Sequence, residues 1–301
     1  MPALKDVETK ISGVKKTQKI TRAMNMVAAS RLRGAQEKME AFRPYATKFA
    51  EVLGSLAERV AGDEESAPAL LVPRQEVKAI DLILVTSDRG LCGGFNTHLL
   101  QKAERFIDEK AGEGIDTRLI CMGKKGRDHF RRRNRNIVSE HIGVVGARFD
   151  FNVAINVGRE IIDRFMDGQT DEVHMIFSEF VSMARQTPRL TQLVPISRVE
   201  TAEDVSQSDA QEGYIPEHIC EPSPDELMAE MLPKQVYVQL YKGLLETSTG
   251  EHAARMAAMD NATSACKDMI ESLTMLYNKA RQQAITMELL DLVSGAEALK
   301  G

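Results

Sequence analysis

A chain of 301 residues, 43% hydrophobic and 28% charged, can bury a sizeable core, which excludes disordered and fibrous classes and leaves one large or two ordinary domains. The four cysteines, Cys92, Cys121, Cys220 and Cys266, lie far apart and form no CxxC, so neither a disulfide framework nor a zinc site is indicated. The net charge of −5 hides strong segregation: residues 9–36 carry seven basic side chains and no acid, residues 200–230 ten acids and no Lys or Arg, a sign of two different partner surfaces.

The opening MPALKDVETK is charged and amphipathic and lacks the apolar core of a secretory signal. No run of apolar residues is long enough for a membrane span. Stepping alternately by three and four from Leu4 visits Leu4, Val7, Ile11 and Val14, then Gln18, Thr21 and Asn25, then Ala28, Leu32, Ala35, Met39 and Phe42, and continues in the same way to Val60. This heptad seam, with one polar interruption, predicts a single helix over residues 1–60 that belongs to a left-handed coiled coil. Pro44 is expected only to kink it. Such a helix would run about 85 Å at 1.5 Å per residue and could not bury its own stripe.

Residues 61–77, with Gly62, Asp63, Glu64, Glu65, Pro68 and Pro73, read as a linker. From Lys78 the pattern changes. Strands are expected at AIDLILVT, TRLICM, EVHMIFSEF and LTQLVPIS, and helices near residues 95–110, 124–133 and 151–167, which predicts an α/β, Rossmann-like domain over 78–200 with a mostly parallel sheet. An acidic, proline-marked loop, 201–233, leads to a C-terminal helix, 234–301. Its seam is read as Val238, Tyr241 and Leu245, then Met259, Ala262, Cys266, Met269, Leu273, Leu276 and Ala280, and on through Gln283, Met287 and Leu290, with Ser248, His252 and Arg255 weakening the middle. The two end helices are expected to bury their stripes on each other as an antiparallel coiled coil, with Ala28, Ala35, Ala262 and Ala280 permitting close approach.

Chemistry is harder to find. The turn SDRGLCGGFN follows a strand and opens a helix, as phosphate-binding turns do, but Gly90, Gly93 and Gly94 do not supply G-x-G-x-x-G and no Lys-Ser/Thr follows. The expected role is a tight turn that lets strand and helix pack closely. The six histidines do not pair at metal-ligand spacing, and no nucleophile elbow or Cys-His pair can be named. The basic cluster Lys124, Lys125, Arg127, Arg131, Arg132, Arg133 and Arg135 invites a nucleic-acid reading, against which stand its lack of interleaved aromatics other than Phe130 and the ten-acid segment. A coiled-coil scaffold or nucleic-acid-binding protein and a nucleotide-dependent enzyme are the alternatives to a mechanical role.

Four stretches carry a resemblance. VKKTQKITRAMNMVAASRLRGAQ (14–36) and EHAARMAAMDNATSACKDMIESLTMLYNKARQQAITMELLDLVSGAEAL (251–299) resemble the gamma-subunit family of F-type ATP synthases, and SDRGLCGGFNTHL and GKKGRDHFRRR are similar to its middle domain. The resemblance implies a rotating central stalk with one copy per complex and neither cofactor nor active site of its own. Its partners would be the alpha and beta subunits of an alpha3beta3 ring, the epsilon subunit and the membrane c-ring, not nucleic acid. Met24, with Lys19, Arg22, Arg31 and Arg33 around it, would face an acidic loop of beta. Arg281, Gln282 and Thr286 would be caught by a beta loop further along the shaft, and Glu221 would be a foot on the c-ring. Peripheral attachment at the cytoplasmic face of a bacterial inner membrane is the expected location.

Overall fold

The computed structural model describes residues 4–60, 68–146, 149–196 and 223–298. Its chain order is α1 (Leu4–Val60), β1 (Ala79–Val85), α2 (Phe95–Gly112), β2 (Asp116–Met122), α3 (Lys124–Arg132), β3 (Ile137–His141), α4 (Phe151–Met166), β4 (Glu172–Phe180), β5 (Gln186–Val194) and α5 (Pro224–Ala298). The chain forms two compact units, one of Met1–Ala29 with Arg255–Gly301 and one of Ser30–Ala254.

The first unit is an antiparallel helix pair. On α1 the seam positions Leu4, Val7, Ile11, Val14, Gln18, Thr21, Asn25 and Ala28 are all buried or half-buried, as the 3.5-residue period requires. The polar interruption is a bonded layer: the Thr21 and Thr263 hydroxyls lie 2.8 Å apart, and Asn25 Nδ2 donates to the Met256 carbonyl at 2.9 Å. On α5 the stripe is not the expected one. Met269 and Leu276 are 53% and 44% exposed, whereas Ile270 and Tyr277 are half-buried, so the seam runs Met259, Thr263, Cys266, Ile270, Leu273, Tyr277, Ala280. Both stripes repeat every 3.5 residues and both are rich in apolar side chains, so periodicity alone cannot choose between them. The pairing also ends early: every residue from Arg281 to Glu297 is exposed, so Gln283, Met287 and Leu290 are not part of an internal seam. The reason is length, because counting outward from the Thr21–Thr263 layer brings α5 level with the start of α1 at about residue 280.

The second unit is built on a five-stranded sheet of order β3-β2-β1-β4-β5, parallel except for β5. Its two faces follow strand alternation. Ile80, Leu82, Leu84, Leu119, Cys121 and Ile176 pack under α2 and α3, through Phe95, Leu99, Phe106 and Phe130. Ile83, Val85, Ile120, Met122, Met175 and Phe177 pack under α4, the Leu53–Leu56 end of α1 and the Met228–Leu244 stretch of α5. Phe42, Phe151 and Tyr241 meet edge-on or tilted, Phe42 lying 4.8 Å from Tyr241, and tie α1 and α4 to α5. Two glycines set how closely α5 approaches: a Cβ at Gly158 would strike the Tyr237 ring, and one at Gly243 would lie 2.7 Å from Met175 Cε. Helix α5 starts ahead of residue 234 and carries Pro233 inside it, and Ser248, His252 and Arg255, the polar residues in the middle of its stripe, are all buried. Strand β3 has no counterpart in the sequence reading. It is a short edge strand whose residues alternate between half-buried and exposed, too polar to stand out as an apolar run.

Two buried polar features complete the core. Asp81, fully buried in β1, accepts two hydrogen bonds from Arg164 of α4, at 2.7 and 3.1 Å. His174 of β4 stacks 5.2 Å from Phe106 and meets Glu172 at 2.8 Å. Burial lowers the His174 pKa, outweighing the Glu172 carboxylate that raises it. The unfolded chain therefore takes up this proton at about 6.5 and the folded chain only below that. Stability is full above the unfolded value and falls as the pH drops from it through the folded one. Thermal melts of the chain between pH 7 and 5 should show this loss, at most about 1.4 kcal/mol per pH unit, and a shallower slope in His174→Gln.

Candidate subunit-docking surfaces

In open α/β sheets a ligand crevice forms at the carboxyl ends of the strands, where the strand order reverses, here between β1 and β4. This chain sets its own groups on both sides of the β1 end. After β1, Thr86 Oγ1 accepts from the Gly126 amide at 2.9 Å, the Ser87 carbonyl accepts from the Lys125 amide at 3.1 Å, and Asp88 Oδ1 accepts from the Lys124 amide at 2.9 Å. The first turn of α3, the helix that follows β2, is thus capped by a carboxylate and a hydroxyl, whereas α2, which the glycine turn opens, starts at Gly94 with no side-chain cap. Gly123 takes φ 111°, and any Cβ there would strike the Thr86 carbonyl. On the β4 side the Thr247 hydroxyl of α5 accepts from the Ser178 amide at 3.1 Å, and Gly250 lies against Phe95, Gln186 and Ser178. The turn between β1 and α2 takes the left-handed conformation at Leu91 (φ 64°) and at Gly93 (φ 58°).

Nothing nearby supplies covalent chemistry. Cys92 and Cys121 are buried, and burial pushes the Cys121 thiol up to about 12, so it stays protonated. Among the described residues no cluster of His, Cys, Asp or Glu could hold a metal ion. The basic cluster is partly neutralised from within: Arg127 pairs with Asp128 and Glu140, Arg133 with Glu104, and Arg135 with Asp108. Lys124, Lys125, Arg131 and Arg132 remain exposed, too few for a duplex-binding stripe.

The expected contact residues lie elsewhere, and not together. In the helix-pair unit, Met24 is half-buried beside the layer where Asn25 bonds Met256, flanked by exposed Lys19 and Arg22. Arg281, Gln282 and Thr286 are exposed on the unpaired end of α5, about 27 Å of helix beyond Thr263. Arg31 and Arg33 belong to the other unit; both are exposed, and Arg33 meets Glu37 at 3.2 Å, one turn on. Lys19, Arg22, Arg31 and Arg281 form no ion pair among the described residues. Glu221 lies outside the described residues. The sequence reading passed over one class of residue. Ile20, Met26 and Val27 beside Met24, and Ile285, Leu289, Leu292 and Val293 beyond Arg281, are exposed apolar side chains. Each is a large apolar residue off the α1 seam or past the end of the pairing, and among the described residues it stays exposed.

A family model described as ATP synthase matches residues 3–299. The chain is 60% identical over 302 residues to an ATP synthase gamma chain of Desulfosudis oleivorans, covering 100% of both, and 52% identical over 301 residues to one of Desulforapulum autotrophicum, covering 99% of this chain and 100% of that one. Among solved structures it is similar to a chain of the Tetrahymena thermophila mitochondrial ATP synthase central stalk and c-ring (TM-score 0.61, 22% identity, covering 81% of this chain and 99% of that one). It is also similar to a chain of the Euglena gracilis mitochondrial ATP synthase OSCP/F1/c-ring assembly (TM-score 0.64, 18% identity, covering 98% and 94%).

Proposed function

We infer a torque-transmitting role from one premise: this chain belongs to the ATP synthase family, as a gamma chain. It is the rotating central-stalk subunit of a rotary ATP synthase, coupling ion flow through a membrane c-ring to ATP synthesis or hydrolysis on the beta subunits, and it performs no catalysis itself. Its partners are the alpha3beta3 ring, the epsilon subunit and the c-ring. Among the described residues no helix is long and apolar enough to cross a membrane. We place the subunit peripherally, at the cytoplasmic face of a bacterial inner membrane, one copy per complex.

One observation carries this reading most directly. From Arg281 to Glu297, α5 exposes every residue, including Ile285, Met287, Leu289, Leu290, Leu292 and Val293. These apolar side chains spread over more than half of the helix circumference, beside a narrower sector that holds Glu288 and Asp291, and surrounding subunits would cover that spread where a single flat partner would leave part of it wet. The cations Lys19, Arg22, Arg31 and Arg33 suit an acidic beta loop, and Glu221 a polar loop of the c-ring. The deciding experiment is reconstitution. The purified chain alone should hydrolyse no ATP, alpha and beta subunits should gain cooperative turnover only when it is added, and ATP-driven ion pumping should need both this chain and the membrane c-ring; enzyme-like hydrolysis by the isolated chain would overturn the assignment.

A local prediction tests the upper contact zone. Arg281→Glu should weaken assembly with alpha and beta subunits by about fivefold, the order of one lost charge contact, as measured by retention of the ring on the immobilised chain. Unchanged retention and turnover would show that Arg281 is not a contact.

A further inference from the structure

Helix α5 carries two overlapping stripes in the helix-pair unit. Met259, Cys266, Leu273 and Ala280 belong to both; one is completed by Ala262, Met269 and Leu276, the other by Thr263, Ile270 and Tyr277. Successive residues are 100° apart around a helix, so the midlines of the two stripes differ by roughly 50° of axial rotation. Each repeats every 3.5 residues and each is largely apolar, so the seams of α1 could accept either with similar burial. The structure adopts the second: Ile270 and Tyr277 face inward and Met269 and Leu276 outward.

What separates the two is polar. Thr263 belongs only to the adopted stripe, and its hydroxyl lies 2.8 Å from that of Thr21. Thr263 Oγ1 is also 2.8 Å from the Met259 carbonyl and Thr21 Oγ1 3.0 Å from the Gln18 carbonyl. Two hydroxyl protons serve three contacts, so the chain of bonds runs in one direction at a time, with both hydroxyls engaged in either case. Ala262 is already half-buried beside Thr263, so rotating α5 to the other stripe would turn Thr263 away from the layer and leave the largely buried Thr21 hydroxyl with its own helix alone. Asn25, bonded to the Met256 carbonyl, adds a second contact that depends on the same rotation.

We propose that the Thr21–Thr263 pair is an axial latch, which holds α5 in one of two available rotational phases and so fixes the direction in which Arg281, Gln282 and Thr286 point. A polar layer in an otherwise apolar coiled coil is a known means of selecting one packing among near-equals. The importance of the latch for coupling rests on the stalk reading above; its existence does not, since it is a property of the helix pair.

The test uses the full chain with two cysteine pairs: Val14→Cys with Ile270→Cys reports the adopted phase, and Val14→Cys with Met269→Cys the alternative. With Thr263 present, the first pair should oxidise to the disulfide at least about fivefold faster than the second, the factor expected of one buried hydrogen bond. Thr263→Ala makes positions 262 and 263 alike and should bring the two rates together at unchanged helix content, whereas Thr263→Ser should restore the difference. Thr21→Ala is the second variant, expected to act like Thr263→Ala. A ratio that Thr263→Ala and Thr21→Ala both leave unchanged, or equal rates already in the parent chain, would overturn the latch. Loss of the latch with intact binding of the alpha and beta subunits leaves the stalk assignment standing; failure of that binding in the parent chain would count against the stalk and not the latch.

Discussion

Exchanging Leu273 for Asp should uncouple the assembled complex, cutting ATP-driven ion pumping further than it cuts ATP hydrolysis. Leu273 sits on the adopted stripe of α5 and is half-buried against α1. A carboxylate there has no partner of opposite charge on the seam positions of α1, which are apolar, hydroxyl or amide, so its desolvation goes uncompensated and the pair splays. The cost to the isolated chain should be about 2 kcal/mol, read as a lowered melting temperature. Leu276→Asp is the matched control. At 44% exposure that side chain is off the adopted seam, and the isolated chain should tolerate the change within about 0.5 kcal/mol. Equal destabilisation by the two substitutions would mean that the stripe has been misidentified. Equal loss of pumping and hydrolysis in Leu273→Asp would mean that the stiffness of the pair does not matter to coupling.

Arg164→Met should be the most damaging single change in the sheet unit, lowering stability by about 3–5 kcal/mol. It leaves Asp81 in the middle of β1, between Ile80 and Leu82, as a fully buried carboxylate without its guanidinium. The double substitution Asp81→Leu with Arg164→Met removes both charges and should recover most of the loss, since well-packed apolar groups replace buried ion pairs at little cost. Melting curves of the three variants decide it: a double variant as unstable as Arg164→Met would show that the pair is needed for shape and not for charge.

Much of this architecture could be read from residue order alone. Outside its polar layer, where Met24 competes with Asn25, the α1 seam is legible position by position because the alternative at each step of three or four is mostly polar or charged. On α5 the same period fitted two stripes, and what decides between them, a hydroxyl pair across the interface, is a contact with a residue 242 positions away. Strand β3 was invisible because an edge strand needs no continuous apolar run. The Asp81–Arg164 pair left a clue that went unused, since a lone acid inside AIDLILV must find a cation when the strand is central. The glycine turn lacks a phosphate fingerprint in the sequence, and the structure adds that Asp88 and Thr86, just ahead of it, bond the first amides of α3. The docking residues are another matter. A contact with a different subunit leaves no mark on the chain's own periodicity beyond exposed charge and exposed apolar surface, so the roles proposed for Met24 and Arg281 rest on family resemblance and not on pattern.

The face of the sheet under α4 is completed by Leu53 and Leu56 from one end of the chain and by Met228 to Leu244 from the other. The middle domain is therefore no cassette. Excised at residues 78 and 196, it would present Met175 and Phe177 to water and clump instead of folding, so gene fusions, split reporters and domain grafts built on this protein must keep the flanking helices or supply a substitute wall.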